Sequence, residues 1–467
     1  MEAHRLSYIA NACGGRLVCA AAETQVSRVC TDSRTLAAGD LFFALAGEHF
    51  DGHDFLQEVG DKKAAAVAVN ESKMPGPGSH YGIIAVENTR RALGQLGAAY
   101  RAEFRLTVIA VGGSNGKTTT KELLAAVLCR RFRTLCSEAS FNNDVGVPST
   151  LLKLENTHEV AVLEVGTNHP GELPPLVRMI QPQFGVITSI GREHLEFFGD
   201  LNGVAEEEGW LAELLPASGK LFINGDSAWA TQICQRTRAK SVRVGLGEKN
   251  DWTAQDVKLD DRGVAFFVKS PRVEFVGEYR IHLLGQHQVV NALLAIALAA
   301  ELGLTAEEIR RGLLGCRPSK MRLQLWEASG VRVLDDAYNA NADSMLAALQ
   351  TLHDLPCAGR RVAVLGDMLE LGEQTTAAHQ EVGRRAAELR LAKLLTVGKL
   401  AHQTAEAARA AGLREVCEFS DVASVSRAVK TLVRAGDLVL VKASRAAGFE
   451  RVSEALQNKN GQSNKKL

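Results

Sequence analysis

Leu106-Thr107-Val108-Ile109-Ala110-Val111 runs directly into Gly112-Gly113-Ser114-Asn115-Gly116-Lys117-Thr118-Thr119. A continuous apolar run closed by glycine reads as a strand buried on both faces, and the segment from Lys117 to about Arg130 reads as a helix. A tight Gly-rich turn between strand and helix makes an anion cradle. Small residues let backbone N–H groups converge, the helix N-terminus aims them, Lys117 adds a point charge, and Thr118 offers a hydroxyl for magnesium. A strict phosphate-loop pattern wants glycine five positions before Gly116, where Val111 stands, so this turn is the shorter variant G-x-x-G-K-T-T. Residues Gly113 to Thr119 are therefore expected to hold the phosphates of ATP.

On either side of this unit the chain repeats the pattern. Val160 to Val165, Val186 to Ile190 and Leu221 to Asn224 are further buried-strand candidates alternating with helical stretches, which predicts a mostly parallel sheet covered on both faces. Upstream, to about residue 103, short β-type runs (Ala65 to Val69, Ile83 to Val86) and turn clusters such as Pro75-Gly76-Pro77-Gly78 read as a small α/β domain. Downstream, after the helix Val289 to Leu302 and the breaker Arg317-Pro318, a fresh series begins: Val331 to Leu334, Arg361 to Leu365, Leu394 to Val397 and Leu438 to Val441. The expected organisation is three α/β domains, 1–103, 104–316 and 317–467, the last Rossmann-like, with a frayed tail from Gln457.

The bulk numbers restrict the partners. Lys plus Arg equals Asp plus Glu at 54 each, so no global field recruits nucleic acid or an anionic membrane. Nine cysteines with no C-x-x-C pair fit a reducing compartment. The longest apolar run, Val289 to Ala300, is too short to span a bilayer, and Met1 to Arg5 lead into no apolar signal core. A cytoplasmic location is expected; nothing in the sequence specifies an oligomeric state.

With its context, the turn Val111 to Thr119 resembles that of the Mur ligases, ATP-dependent amide-forming enzymes that build the peptidoglycan stem peptide in the bacterial cytoplasm. Thr31-Asp32-Ser33-Arg34, Gly39-Asp40-Leu41-Phe42-Phe43-Ala44-Leu45 and Asp51-Gly52-His53-Asp54-Phe55 resemble the UDP-sugar-binding domain of the two later enzymes of that series. Four further segments are similar to the last enzyme. They are Asn142-Asn143-Asp144-Val145-Gly146-Val147-Pro148, Glu164-Val165-Gly166-Thr167-Asn168-His169, Asp335-Asp336-Ala337-Tyr338-Asn339-Ala340-Asn341 and Gly366-Asp367-Met368-Leu369-Glu370-Leu371-Gly372. The resemblance implies transfer of the ATP γ-phosphoryl to the carboxylate of a UDP-N-acetylmuramoyl tripeptide, then attack of D-alanyl-D-alanine on the acyl phosphate.

By the same resemblance, Lys117 contacts the β/γ phosphates, Thr118 and Glu164 bind one magnesium ion, and His194, within Gly191-Arg192-Glu193-His194-Leu195-Glu196, helps bind a second. His287 and Asn291, at i and i+4, face the nucleotide or serve as polar caps. Arg322 suits phosphate and Asp336 a ribose hydroxyl, with Asn339 beside them; a static ion pair between domains is the competing account. Ser33, Arg34, Asn142 and Asn143 are expected at the UDP-tripeptide. Lys442, Ser444 and Arg445 look like the family's C-terminal basic segment, but Ala446-Ala447-Gly448-Phe449 departs from its continuation.

One position departs from the family. Most members carry a carbamylated lysine on the helix after the histidine, and here Val204-Ala205-Glu206-Glu207-Glu208-Gly209 places Glu208 there, with no lysine between Lys153 and Lys220. Glu208 is expected to supply a hard oxygen to magnesium directly; the alternative is a solvated acidic helix face. Two other functions compete: a related ligase adding another amino acid or acting on a folate-like substrate, and a nucleotide-binding regulatory module without ligase activity.

Overall fold

The computed structural model describes residues 1–19, 22–47, 50–76 and 80–457. Pro77-Gly78 and the tail after Gln457 lie outside the described residues. Thr107–Gly112 forms a strand in the interior of a nine-stranded sheet, flanked by Phe184–Ile187 on one side and Val160–Glu164 on the other, both parallel to it. Its alternation serves two cores: Val108 and Ala110 point into one hydrophobic cluster, Ile109 and Val111 into another. A strand apolar at every position is what a sheet with helices on both faces requires, and burying each valine or isoleucine contributes about 1.5–3 kcal/mol.

The sheet runs, in order, Gly277–Ile281, Gly263–Lys269, Trp252–Asp260, Lys240–Gly245, Lys220–Asn224, Phe184–Ile187, Thr107–Gly112, Val160–Glu164 and Thr134–Cys136. From Trp252–Asp260 to Thr134–Cys136 the neighbours are parallel; the last two strands on the opposite edge are joined in antiparallel pairs. That antiparallel extension was not visible as helix-alternating strands, because it is built from a hairpin. Gly263, at φ +126°, closes the turn, where a Cβ would lie 1.9 Å from the Ile281 carbonyl oxygen.

The helix Lys117–Leu128 lays Leu123, Leu124, Val127 and Leu128 against this sheet. Beside it packs His287–Glu301, buried on nearly every face from Val289 to Ala300, as an internal helix apolar all round must be. This pairing carries His287 and Asn291 to the Gly-rich turn. A five-stranded sheet (residues 16–86) precedes the central one, and a six-stranded sheet (residues 324–442) follows. Each is parallel except for one antiparallel edge pair, Arg16–Cys19 with Gly82–Val86 and Gln324–Ala328 with Val331–Asp335. In such sheets the carboxyl ends of the strands face the ligand crevice. Gly112, Glu164, Asp335 and Lys442 all sit at such ends.

Candidate active site

A cavity of about 1570 Å3 opens between the helix Thr89–Ala102, the central unit and the third unit, lined by Ser114 to Thr119, Asn142, Asn143, Glu164, Glu193, His194, His287, Asn291, Arg322, Asp336, Asn339 and Lys442, with Arg90 and Arg91 from that helix. The Gly-rich turn is pinned before any ligand enters. Gly113 N–H donates to Glu208 Oε2 at 2.7 Å, Ser114 N–H to the Ser189 carbonyl at 2.8 Å, and Asn115 N–H to Ser189 Oγ at 2.9 Å. Ser114 Oγ also accepts from Gly191 N–H at 2.8 Å. The amides left to face an anion are those of the helix start, Gly116 to Thr119, which have no backbone partner at a helix N-terminus. Gly116, at φ +90°, has no room for a side chain: a Cβ would lie 2.6 Å from Asn291 Oδ1. Gly113, at φ +110°, would meet Thr188 Oγ1 at 2.5 Å.

Lys117 folds back over the turn. Its ammonium donates to the Gly113 carbonyl, to the Ser114 carbonyl at 3.2 Å, and lies 3.4 Å from both Glu193 oxygens. Burial alone would lower its pKa; the carboxylates of Glu193, Glu208 and Glu164 overturn this and raise it. Burial pushes Glu193 up to about 8, with Lys117 pulling back and Glu208 adding to the rise. Burial raises Glu208 as well. Glu193 was not singled out in the sequence; it lies next to His194, but nothing local signals a partner at Lys117.

Glu164 is 1% exposed. Its Oε1 accepts from Thr118 Oγ1 at 3.2 Å and Asn142 Nδ2 at 2.9 Å, while Oε2 is buried without a hydrogen-bond partner. An orphaned carboxylate oxygen beside a threonine hydroxyl, facing a phosphate cradle, fits a hard divalent cation. Among the described residues no three His, Cys, Asp or Glu side chains converge on one metal position. That suits magnesium, which takes one or two protein ligands and fills the rest with water and phosphate oxygens.

His194 and Glu208 are expected at a second magnesium ion, and each has another partner. His194, at φ +49°, turns its Nδ1 to Glu370 Oε2 at 2.5 Å across the cleft; burial lowers its pKa and Glu370 pulls the other way. Glu208 is 1% exposed, beneath the turn and not on the cavity wall, with Oε1 unpartnered. Glu207 is also buried, accepting from the Gly171 and Leu173 N–H groups, so a solvated acidic face is excluded for both. Only Glu206 is exposed.

Across the cleft, Arg322 Nη2 donates to Thr118 Oγ1 at 3.1 Å and its guanidinium stacks 4.1 Å from the Tyr338 ring. Asp336 accepts from Lys442 Nζ at 2.5 Å and from Leu323 N–H at 3.1 Å, an ion pair within the third unit and not between domains. Lys442 also donates to the Asn339 carbonyl, and Asn339 Oδ1 accepts from Arg445 N–H. Asn291 donates to Gln288 Oε1 at 2.8 Å, and burial drops His287 to about 4, keeping it neutral. Asn143 Oδ1 accepts from Val145 and Gly146 N–H groups. Ser33 and Arg34 stand apart from the cavity lining: Ser33 is buried against Glu58, and Arg34 is exposed on Asp32.

Comparison with known proteins matches three family profiles in order: the Mur ligase family catalytic domain over residues 25–101, the Mur ligase middle domain over 111–299, and the Mur ligase glutamate ligase domain over 321–445. The UDP-N-acetylmuramoyl-tripeptide–D-alanyl-D-alanine ligase of Bacillus subtilis is 37% identical over 93% of this chain and 94% of its own. The Escherichia coli enzyme of the same name is 36% identical over 93% and 95%. A crystal structure of MurF from Acinetobacter baumannii superposes with a TM-score of 0.89 at 31% identity, covering 98% of this chain and all of that one. MurF ligase from Thermotoga maritima in complex with ADP gives 0.80 at 26% identity, over 92% and 96%.

Proposed function

The chain belongs to the Mur ligase family, and from that premise we infer that it joins D-alanyl-D-alanine to UDP-N-acetylmuramoyl-tripeptide at the expense of ATP, through an acyl phosphate. Amide formation from a free carboxylate in water is uphill, and phosphorylation supplies the missing leaving group. The observation that carries the reading is the cleft itself: a helix N-terminus with Lys117, and the facing Arg322, open on one cavity large enough for two substrates and a nucleotide. Such a reaction asks the protein to position groups and neutralise phosphate charge, with little covalent work of its own.

In this reading Gly116 to Thr119 present N–H groups to the β and γ phosphates, Lys117 and Arg322 neutralise them, and His287, Asn291, Asp336 and Asn339 frame the nucleoside end. Thr118 and Glu164 would hold magnesium, which when bound screens phosphate charge and polarises the γ-phosphoryl group. Asn142, hydrogen-bonded to Glu164, ties the metal site to the side of the cavity where the tripeptide carboxylate must arrive. Residues 1–103 are assigned to the UDP end, with Ser33 and Arg34 as its candidates, 104–316 to ATP, and 317–467 to closing over it. Among the described residues no helix is long and apolar enough to cross a membrane, and a cytoplasmic enzyme is proposed because ATP and UDP-linked precursors are found there.

The test is direct: purified protein, ATP, magnesium, UDP-muramoyl tripeptide and a panel of amines, with phosphate and new peptide measured. Product with D-alanyl-D-alanine alone supports the reading. Product only with another amine points to a related ligase, and binding without turnover to a regulatory module. Likeness to folylpolyglutamate synthase of Mycobacterium tuberculosis, at 17% identity, shows the shared fold alone.

A further inference from the structure

Beyond phosphate and metal ligands, one buried carboxylate on the cavity wall has a role that the reaction does not yet use. Glu193 places both oxygens 3.4 Å from the Lys117 ammonium, with only 11% and 13% of the two side chains exposed. The remaining contacts of that ammonium are carbonyls of its own turn, Gly113 and Ser114. The Lys117 cation is thus already neutralised, by an anion supported on the segment Gly191 to Glu193 that also clasps Ser114.

We propose that Glu193 is a positioning residue that holds Lys117 in the nucleotide-free turn as a stand-in for phosphate and makes nucleotide binding conditional on a divalent cation. The proposal rests on the ATP-dependent reading above. When phosphates enter, Lys117 transfers to them, and the Glu193 carboxylate is left facing new negative charge in a partly buried site, alongside Glu164. Like charges at that range repel strongly when water is excluded. A divalent cation between phosphate and carboxylate converts the repulsion into attraction, and Glu164, whose Oε2 is buried and unpartnered, lines the same cavity. Nucleotide without metal is rejected; nucleotide with metal is held.

The experiment is calorimetric titration of the full-length protein with ADP at pH 8.5, in EDTA and in saturating magnesium, for wild type, Glu193→Gln, Glu193→Ala and Glu193→Asp. Wild type is expected to bind ADP far more tightly with magnesium. Both neutral variants are expected to bind metal-free ADP about 10-fold more tightly than wild type and to lose about 10-fold of the magnesium enhancement, the two changes being linked. Glu193→Asp, which keeps the charge, is expected to stay near wild type in both. A merely structural Glu193 would leave the ratio of the two affinities untouched. Neutral variants that fold and keep the wild-type ratio would overturn the proposal while leaving the ligase reading intact. Wild type that binds no ADP under either condition would overturn both.

Discussion

Glu208 Oε2 accepts the Gly113 N–H at 2.7 Å, and the fit is close enough that a Cβ at Gly112 would lie 2.9 Å from the same oxygen. Glu208 therefore acts on the Gly-rich turn from beneath. Its second oxygen, buried and unpartnered, remains available to a cation or a water. Removing it strips a charged acceptor from a buried amide and loosens the turn that carries Lys117. Glu208→Ala is expected to lower kcat/KM by about 100-fold, and Glu208→Gln, which keeps an acceptor without the charge, by about 10-fold. With no lysine to carbamylate at this position, wild-type phosphate release is expected to be the same in carbon-dioxide-depleted and bicarbonate-supplemented buffer. Strict dependence on bicarbonate would refute the assignment.

Arg322 reaches across the cleft to Thr118 Oγ1 at 3.1 Å, held flat by the Tyr338 ring. A phosphate entering the cradle meets a guanidinium that is already oriented. Arg322→Ala is expected to raise the KM for ATP about 30-fold, equivalent to roughly 2 kcal/mol of charge-assisted hydrogen bonding. Arg322→Lys recovers little of this, because an ammonium neither stacks nor donates in a planar fork. Initial rates against ATP at saturating D-alanyl-D-alanine and tripeptide decide it; an unchanged KM in both variants would remove Arg322 from the phosphate site.

How much of this was legible follows from the range of each interaction. The strand, turn and helix around Gly113 were readable because burial on both faces and the glycine turn are written within about twenty residues. The antiparallel strands after Trp252 were not, since a hairpin of half-exposed strands lacks the helix between strands that marks the parallel units. Glu208 could be placed by its neighbours Val204-Ala205 and Gly209, but its partner Gly113 lies 95 residues away, in the turn after the strand Thr107–Gly112. His194, expected at a metal, hydrogen-bonds Glu370, while Glu193 beside it pairs with Lys117; two adjacent side chains diverge, and no local pattern tells them apart. Ser33, read as a substrate contact, is buried against Glu58 because the 3-10 turn Ser33–Thr35 folds it inward.

Arg192, two residues before His194, links the central and third units through Asp343 and Glu381. Its Nη2 lies 2.6 Å from Asp343 Oδ1, its Nη1 2.6 Å from Glu381 Oε2, and Asp343 also accepts the Arg192 N–H at 2.7 Å. Together with Asn341 on Asn115 and Glu370 on His194, this ties the third unit to the central one beside the turn. Arg192→Ala and Asp343→Ala are each expected to lower kcat about 10-fold, and the double variant to lose little more, a coupling of about 1.4 kcal/mol. Small-angle scattering of either variant is expected to show a larger radius of gyration than wild type. Additive losses with unchanged dimensions would mean the pair does not control closure.

Asp437 supplies a pH-dependent test of the third unit apart from the site. It is fully buried, which alone would raise its pKa. Arg360 Nη2 at 2.6 Å and Nε at 3.1 Å, with the Arg434 and Arg360 N–H groups at 2.9 and 3.1 Å, outweigh burial and hold the carboxyl below the usual carboxylate range. A folded-state pKa below the unfolded one means the unfolded chain binds more protons on the acid side. The stabilisation is therefore complete above about pH 5 and is lost as pH falls through 3.8 toward the folded value. Asp437→Asn leaves Arg360 without its counter-charge and is expected to destabilise this unit by about 3 kcal/mol near pH 7. Thermal melts at pH 7 and pH 2.5 should show the wild-type and variant Tm values converging on acidification. A gap that stays constant or widens between those pH values would show that the Arg360 pair is not what the carboxylate contributes.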